Sequence, residues 1–156
     1  MSFSRRSMLW MVPGATIAVP VGTLLFPDLA QAAPVNAEDG VAVRGTDVVA
    51  YFTDGRAVAG RPDITFAWRG ATWRFASAAN RDRFAADPER YAPAYGGFCA
   101  YAVSEGYTAP IDPEAWRIVD GRLFLNYDRA IQRRWARDIP GRVARADANW
   151  PALAGE

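Results

Sequence analysis

Residues 115–119 (Ala-Trp-Arg-Ile-Val) and 122–126 (Arg-Leu-Phe-Leu-Asn) stand on either side of Asp120-Gly121. Two short apolar-rich runs separated by a pair that tolerates positive φ predict a tight type I′ hairpin, with register set by the turn. An earlier stretch repeats the plan. Ile64-Thr65-Phe66-Ala67-Trp68 and Thr72-Trp73-Arg74-Phe75 surround Arg69-Gly70. Phe66, Trp68, Trp73 and Phe75 are therefore expected among the packing residues of a second hairpin. Val48-Val49-Ala50-Tyr51-Phe52, closed by Thr53-Asp54-Gly55, reads as a further strand.

Helices fill the intervals. Ser77 is placed to cap a helix over 78–87, with Phe84 as its apolar anchor and Pro88 as its stop. Asp128 caps a second helix reaching about Asp138, in which Ile131, Trp135 and Ile139 recur on one face. Pro140 opens a third, where Val143, Ala146 and Trp150 share a stripe. The prediction is a small single α+β domain: two β-hairpins interleaved with three to four short helices. One cysteine cannot form an internal disulfide, so the core must rest on packing. Trp68, Trp73, Trp116, Trp135 and Trp150 are enough for that.

The N-terminus reads differently. Ser4-Arg5-Arg6-Ser7-Met8-Leu9 leads into an uncharged run from Ser7 to Phe26, and Ala30-Gln31-Ala32 supplies small residues for a signal peptidase. That order predicts a cleavable export signal over 1–32 and a periplasmic protein. The paired arginines resemble a twin-arginine signal, with Met8 and Trp10 in place of its usual Phe and Lys. The alternative is a membrane anchor, since the run is long enough to span, although Pro13, Gly14, Pro20 and Gly22 interrupt it. With cleavage after Ala32, residues 33–40 are expected to be a short tether, residues 41–151 the domain, and no stable anchor remains. The chain has 18 basic and 17 acidic residues; the signal takes two arginines and Asp28, leaving 16 of each. A neutral mature chain gives no electrostatic reason to bind nucleic acid or anionic lipid.

Absences narrow the chemistry. The sequence has no His, and its three Met (Met1, Met8, Met11) all lie in the predicted signal. Cys99 is then the single soft ligand, whereas zinc and copper(I) sites take several thiolate, thioether or imidazole groups. No metal site within one chain and no cofactor are expected.

The stretch Trp68-Arg69-Gly70-Ala71-Thr72-Trp73-Arg74-Phe75-Ala76-Ser77, followed by Asn80, Phe84 and Asp87-Pro88-Glu89-Arg90-Tyr91, resembles the YHS domain. Gly45-Thr46-Asp47-Val48-Val49-Ala50-Tyr51-Phe52 is similar to the segment that opens that domain. Gly96-Gly97-Phe98-Cys99-Ala100-Tyr101 and Asp112-Pro113-Glu114-Ala115-Trp116 through Asn126 resemble its exported, twin-arginine-signalled branch. The likeness covers most of 41–151. It implies a TRASH-like scaffold used in metal handling, whose ligand cysteines fall by motif on Ala50, Ala76 and Asn80. None of these binds a soft metal and the namesake His has no counterpart, so the metal function does not transfer. The exported branch includes selenoproteins; if their selenocysteine corresponds to Cys99, the resemblance implies redox or nucleophilic chemistry there.

Cys99 itself allows two readings. Gly96-Gly97 permits a tight turn, and a short helix from Phe98 to Glu105, ending at Gly106, puts Cys99 in a first turn whose free N–H groups favour a thiolate. No His rules out a Cys–His dyad, and no second Cys rules out internal exchange. In the other reading Phe98, Cys99, Tyr101 and Val103 are simply core. Tyr91, Tyr95, Tyr101 and Tyr107 cluster around Cys99 in sequence and are candidates for a small aromatic-ligand pocket or for packing. Asp112-Pro113-Glu114 is a weak acid–base pair that also makes a turn. Arg133, Arg134 and Arg137, countered by Asp138, read as a solvated face.

Two main functions follow. One is a non-catalytic binding or accessory module for a protein or small-molecule partner, built on a YHS-like scaffold stripped of its ligands. The other is a thiol-dependent redox protein using Cys99. A copper carrier that pools Cys99 across a dimer is the third.

Overall fold

The computed structural model describes residues 33–155. The predicted export signal, and with it the question of an anchor, lies outside them. Both hairpins form as their turns dictate. Strands β3 (Arg61–Trp68) and β4 (Ala71–Phe75) pair antiparallel around Arg69-Gly70, and β5 (Asp112–Val119) pairs with β6 (Arg122–Asn126). Asp120 and Gly121 take φ of 51° and 76°, as a type I′ turn requires.

The first hairpin belongs to a larger sheet. β1 (Ala37–Glu38) and β2 (Val41–Ala42) form a miniature hairpin that joins β4 in parallel at Val41 and Thr72, giving the order β1-β2-β4-β3. Residues 33–40 therefore do not behave as the tether expected of them. The Asn36 N–H donates to the Gly96 carbonyl at 2.9 Å, and its side-chain amide donates to the Gly97 carbonyl at 3.0 Å. Val35 packs against the core. No local pattern in Ala-Pro-Val-Asn announces a partner sixty residues away.

A second correction concerns Val48–Phe52. Its β-branched and aromatic residues look like a strand, yet residues 50–53 form a helical turn, α1 (Ala50–Thr53). Asp47 overrides propensity: its Oδ1 accepts from the N–H groups of Val49 (2.9 Å) and Ala50 (3.2 Å), as a capping aspartate does.

α2 (Ala78–Ala86) starts at Ser77, whose hydroxyl accepts from Asn80 N–H at 3.1 Å. Pro88 ends α2 but also opens a short α3 (Pro88–Tyr91), where a first-turn proline costs nothing. α4 (Ala100–Ser104) follows Cys99. α5 (Arg129–Trp135) is capped by Asp128 and runs through a 3₁₀ turn into α6 (Ile139–Ala154), capped by Asp138. The architecture is α+β, with α1 and α3 beyond the helices anticipated and packing that continues past 41–151 at both ends. Among the described residues no helix is long and apolar enough to cross a membrane.

Two apolar clusters make the core. One gathers Val48, Val49, Trp73, Phe75, Phe84, Leu123 and Leu125; the other Tyr95, Val103, Phe124, Trp135 and Ala146. Strand β6 serves both because successive side chains point to opposite faces, and both of its faces are covered.

Candidate functional site

Three consecutive residues with positive φ, Tyr95 (58°), Gly96 (62°) and Gly97 (85°), turn the chain towards Cys99. Gly96 cannot be replaced lightly, since a Cβ there would meet the Pro34 carbonyl oxygen. After this turn the Cys99 N–H donates to the Ala109 carbonyl (3.0 Å), and the Cys99 carbonyl accepts from Val103 N–H as α4 begins.

The side chain points inward, and Cys99 is 1 % exposed. Its Sγ accepts from the Tyr127 N–H at 3.3 Å and lies 3.7 Å from Asn126 Oδ1, to which the thiol donates weakly. That amide oxygen also accepts from Tyr101 N–H at 3.1 Å, while the buried Asn126 Nδ2 has no partner among the described residues. Burial pushes the Cys99 thiol above its ordinary value. The N–H groups of Ala102, Tyr127 and Tyr101 offset part of that push, and the charge of Asp128 adds to it. The activation expected at a helix start is outweighed, because α4 is short and the sulfur is taken out of water.

A pocket of about 250 Å³ opens above this sulfur, walled by Tyr101, Ala102, Tyr107, Ala109, Tyr127 and Ile131. Tyr107 and Tyr127 stand 52 % and 53 % exposed at its rim. Of the four tyrosines grouped by sequence, only Tyr101 and Tyr107 reach it. Tyr91 packs edge-on against Phe52 at 5.5 Å. Tyr95 is buried and donates from its hydroxyl to Asp147 Oδ1 at 2.9 Å, facing a separate cleft with Trp68, Arg122 and Trp150. Positions 91, 95, 101 and 107 thus form no common wall, because a left-handed turn and α4 separate them.

Asn126 and Tyr127 are the residues that sequence reasoning missed. Tyr127 precedes the Asp128 cap and shares a pocket wall with Ile131 of α5, a contact that the spacing of the two residues does not announce. Nothing in the sequence distinguishes Asn126 from an ordinary strand-end residue.

Asp112 Oδ1 accepts from Glu114 N–H (2.9 Å), and Glu114 pairs with Arg129 at 3.5 Å, so these carboxylates are engaged locally. A second polar centre matters more. Asp47 is fully buried, and its Oδ2 accepts from Ala76 N–H and from Asn80 Nδ2, both at 2.9 Å. With the Ala50 bond, one carboxylate gathers Ala50, Ala76 and Asn80. Among the described residues no group of three His, Cys, Asp or Glu is placed to hold a metal ion.

Fold and site together define a small α+β domain with a one-ring-sized, mostly apolar pocket over a sheltered thiol. Comparison with protein-family models, curated proteins and solved structures gives no match for this chain.

Proposed function

We infer that this is an exported YHS-like module that binds a small apolar or aromatic group without catalysing a reaction, and that the pocket above Cys99 is where it binds. The observation that carries the reading is the sulfur's setting. It is buried and pushed above its ordinary ionisation, and among the described residues no basic side chain lines the pocket, whose walls are tyrosine and aliphatic surface. A cavity of about 150 Å³ with apolar walls is known to hold benzene, so this volume suits a single ring. The meeting of Ala50, Ala76 and Asn80 on Asp47 supports the YHS-like scaffold: a hydrogen-bonded carboxylate holds together the three positions that the resemblance gives to metal ligands.

Alkylation of Cys99 across pH tests the sulfur's part. The folded protein is expected to react slowly and to reach half its limiting rate above the ordinary thiol range. The alternative, a redox thiol, is favoured by the Tyr127 N–H aimed at Sγ; rapid reaction near neutral pH would establish it instead. Stoichiometric copper lost in Cys99→Ser would establish the carrier. For binding, p-cresol should shift the methyl resonances of Ala102, Ala109 and Ile131 saturably, and Ile131→Trp should abolish the shifts by filling the pocket.

A further inference from the structure

Arg134 and Arg137 read as a solvated face along the sequence, but the fold sets them opposite Arg142 and Arg145 of α6. The four guanidinium groups and Tyr101 line a depression of about 420 Å³. Each pair is spaced i, i+3 on its own helical segment, so like charges adjoin within a helix as well as across the gap. The same segments are anchored to the core by Trp135, Ile139, Val143 and Ala146, which fixes the backbone from which the four arginines extend.

Carboxylates do not balance the cluster. Asp138 is the single acid in the lining. Its Oδ1 is committed to capping α6 through Gly141 N–H (3.0 Å), and its other oxygen lies 3.8 Å from Arg145. Glu105 pairs with Arg142 from outside. Neither Arg134 nor Arg137 has an acidic partner within 4.0 Å among the described residues. Arg142 is pre-set: its guanidinium lies 4.1 Å from the centroid of the Tyr101 ring, donates to Ser104 Oγ at 3.0 Å, and is 17 % exposed. A cation held in place by its neighbours spends little entropy on gripping a ligand.

We propose that this depression binds a small oxyanion carrying two or more negative charges, through forked hydrogen bonds from guanidinium groups on both sides. Phosphate and polycarboxylate share that chemistry. The site is independent of the Cys99 pocket, although Tyr101 walls both.

The test titrates the protein with inorganic phosphate and, separately, with citrate, at constant ionic strength set by sodium chloride, following backbone amide resonances. Saturable shifts centred on 134–145 are expected from one or both, and the tighter of the two names the natural chemistry. The double variant Arg134→Gln/Arg137→Gln should weaken binding at least tenfold. Arg133→Gln removes a charge from the same helix but outside the depression, and should change affinity less than twofold. Shifts that track chloride equally, or an equal loss in the Arg133 variant, would overturn the site in favour of diffuse screening. Should the double variant be perturbed in fold, the single Arg137→Gln and Arg145→Gln variants carry the same comparison.

Discussion

Replacing Asp47 by alanine would strand four N–H donors, three of them on the backbone, beside the core. Each buried donor left unmatched costs about 1–3 kcal/mol, and partial access of water to Ala76 and Asn80 lowers the sum. The expected loss is about 3 kcal/mol, or roughly 10 °C in Tm for a domain of this size, read by thermal melts. Asp47→Asn keeps the cap oxygen but turns an NH₂ group towards Asn80. Adding Asn80→Asp should therefore restore part of the loss, which a purely steric account does not foresee. Tyr51 offers a second test. Its hydroxyl donates to the Pro113 carbonyl at 2.7 Å, and burial first, then the charges of Glu114 and Asp112, push the phenol far above its ordinary value of 10. The unfolded chain therefore ionises first. Tyr51's contribution is intact below pH 10 and declines as pH rises from there towards the folded value, by up to about 1.4 kcal/mol per pH unit. Denaturant melts from pH 9 to 11 should show that slope, and it should be shallower in Tyr51→Phe.

Two turns contrast at the level of elements. Gly121 needs positive φ, but a Cβ there meets nothing within 4 Å, so Gly121→Ala costs only conformational strain, about 1 kcal/mol. Gly96 has a similar φ and adds a collision with the Pro34 carbonyl oxygen. Gly96→Ala should cost at least twice as much and should release residues 34–36, seen as faster amide exchange at Asn36. The same contrast separates what a hairpin turn reveals in sequence from what it hides. Asp-Gly states its geometry to its own neighbours, whereas Gly96-Gly97 is glycine because a distant segment lies upon it. The Asp128 cap belongs with the first kind: Asp128, its bond to Ile131 N–H (2.7 Å) and helix α5 were all legible.

At the scale of the molecule, two clusters are joined by β6, which places Leu123 and Leu125 in one and Phe124 in the other. Losing either cluster bares one face of that strand, so the domain should unfold as one unit. With 5-fluorotryptophan incorporated, the resonances of Trp73 in the first cluster and Trp135 in the second should disappear at the same temperature. Separate transitions would show two independent units. The Arg134–Arg145 depression is a property of this scale as well, since it exists only because α5 and α6 pack their apolar stripes on the same core.

Sequence alone determined the α+β class, both long hairpins, the caps at Ser77 and Asp128, and the tryptophan-rich core. The hairpins and caps depend on interactions between residues a few positions apart, which turn chemistry and capping signals report directly, and the core on the supply of large apolar side chains. Tertiary structure decided the rest. It turned Val48–Phe52 from the expected strand into a turn leading into α1 through the Asp47 carboxylate, drew residues 34–40 onto Gly96-Gly97 and into the sheet, and parted Tyr91 and Tyr95 from Tyr101 and Tyr107. It also brought Asn126 and Tyr127 to the Cys99 sulfur, twenty-seven and twenty-eight residues away. Those outcomes depend on which distant groups come to share a volume from which water is excluded, and no local pattern of residue types encodes that.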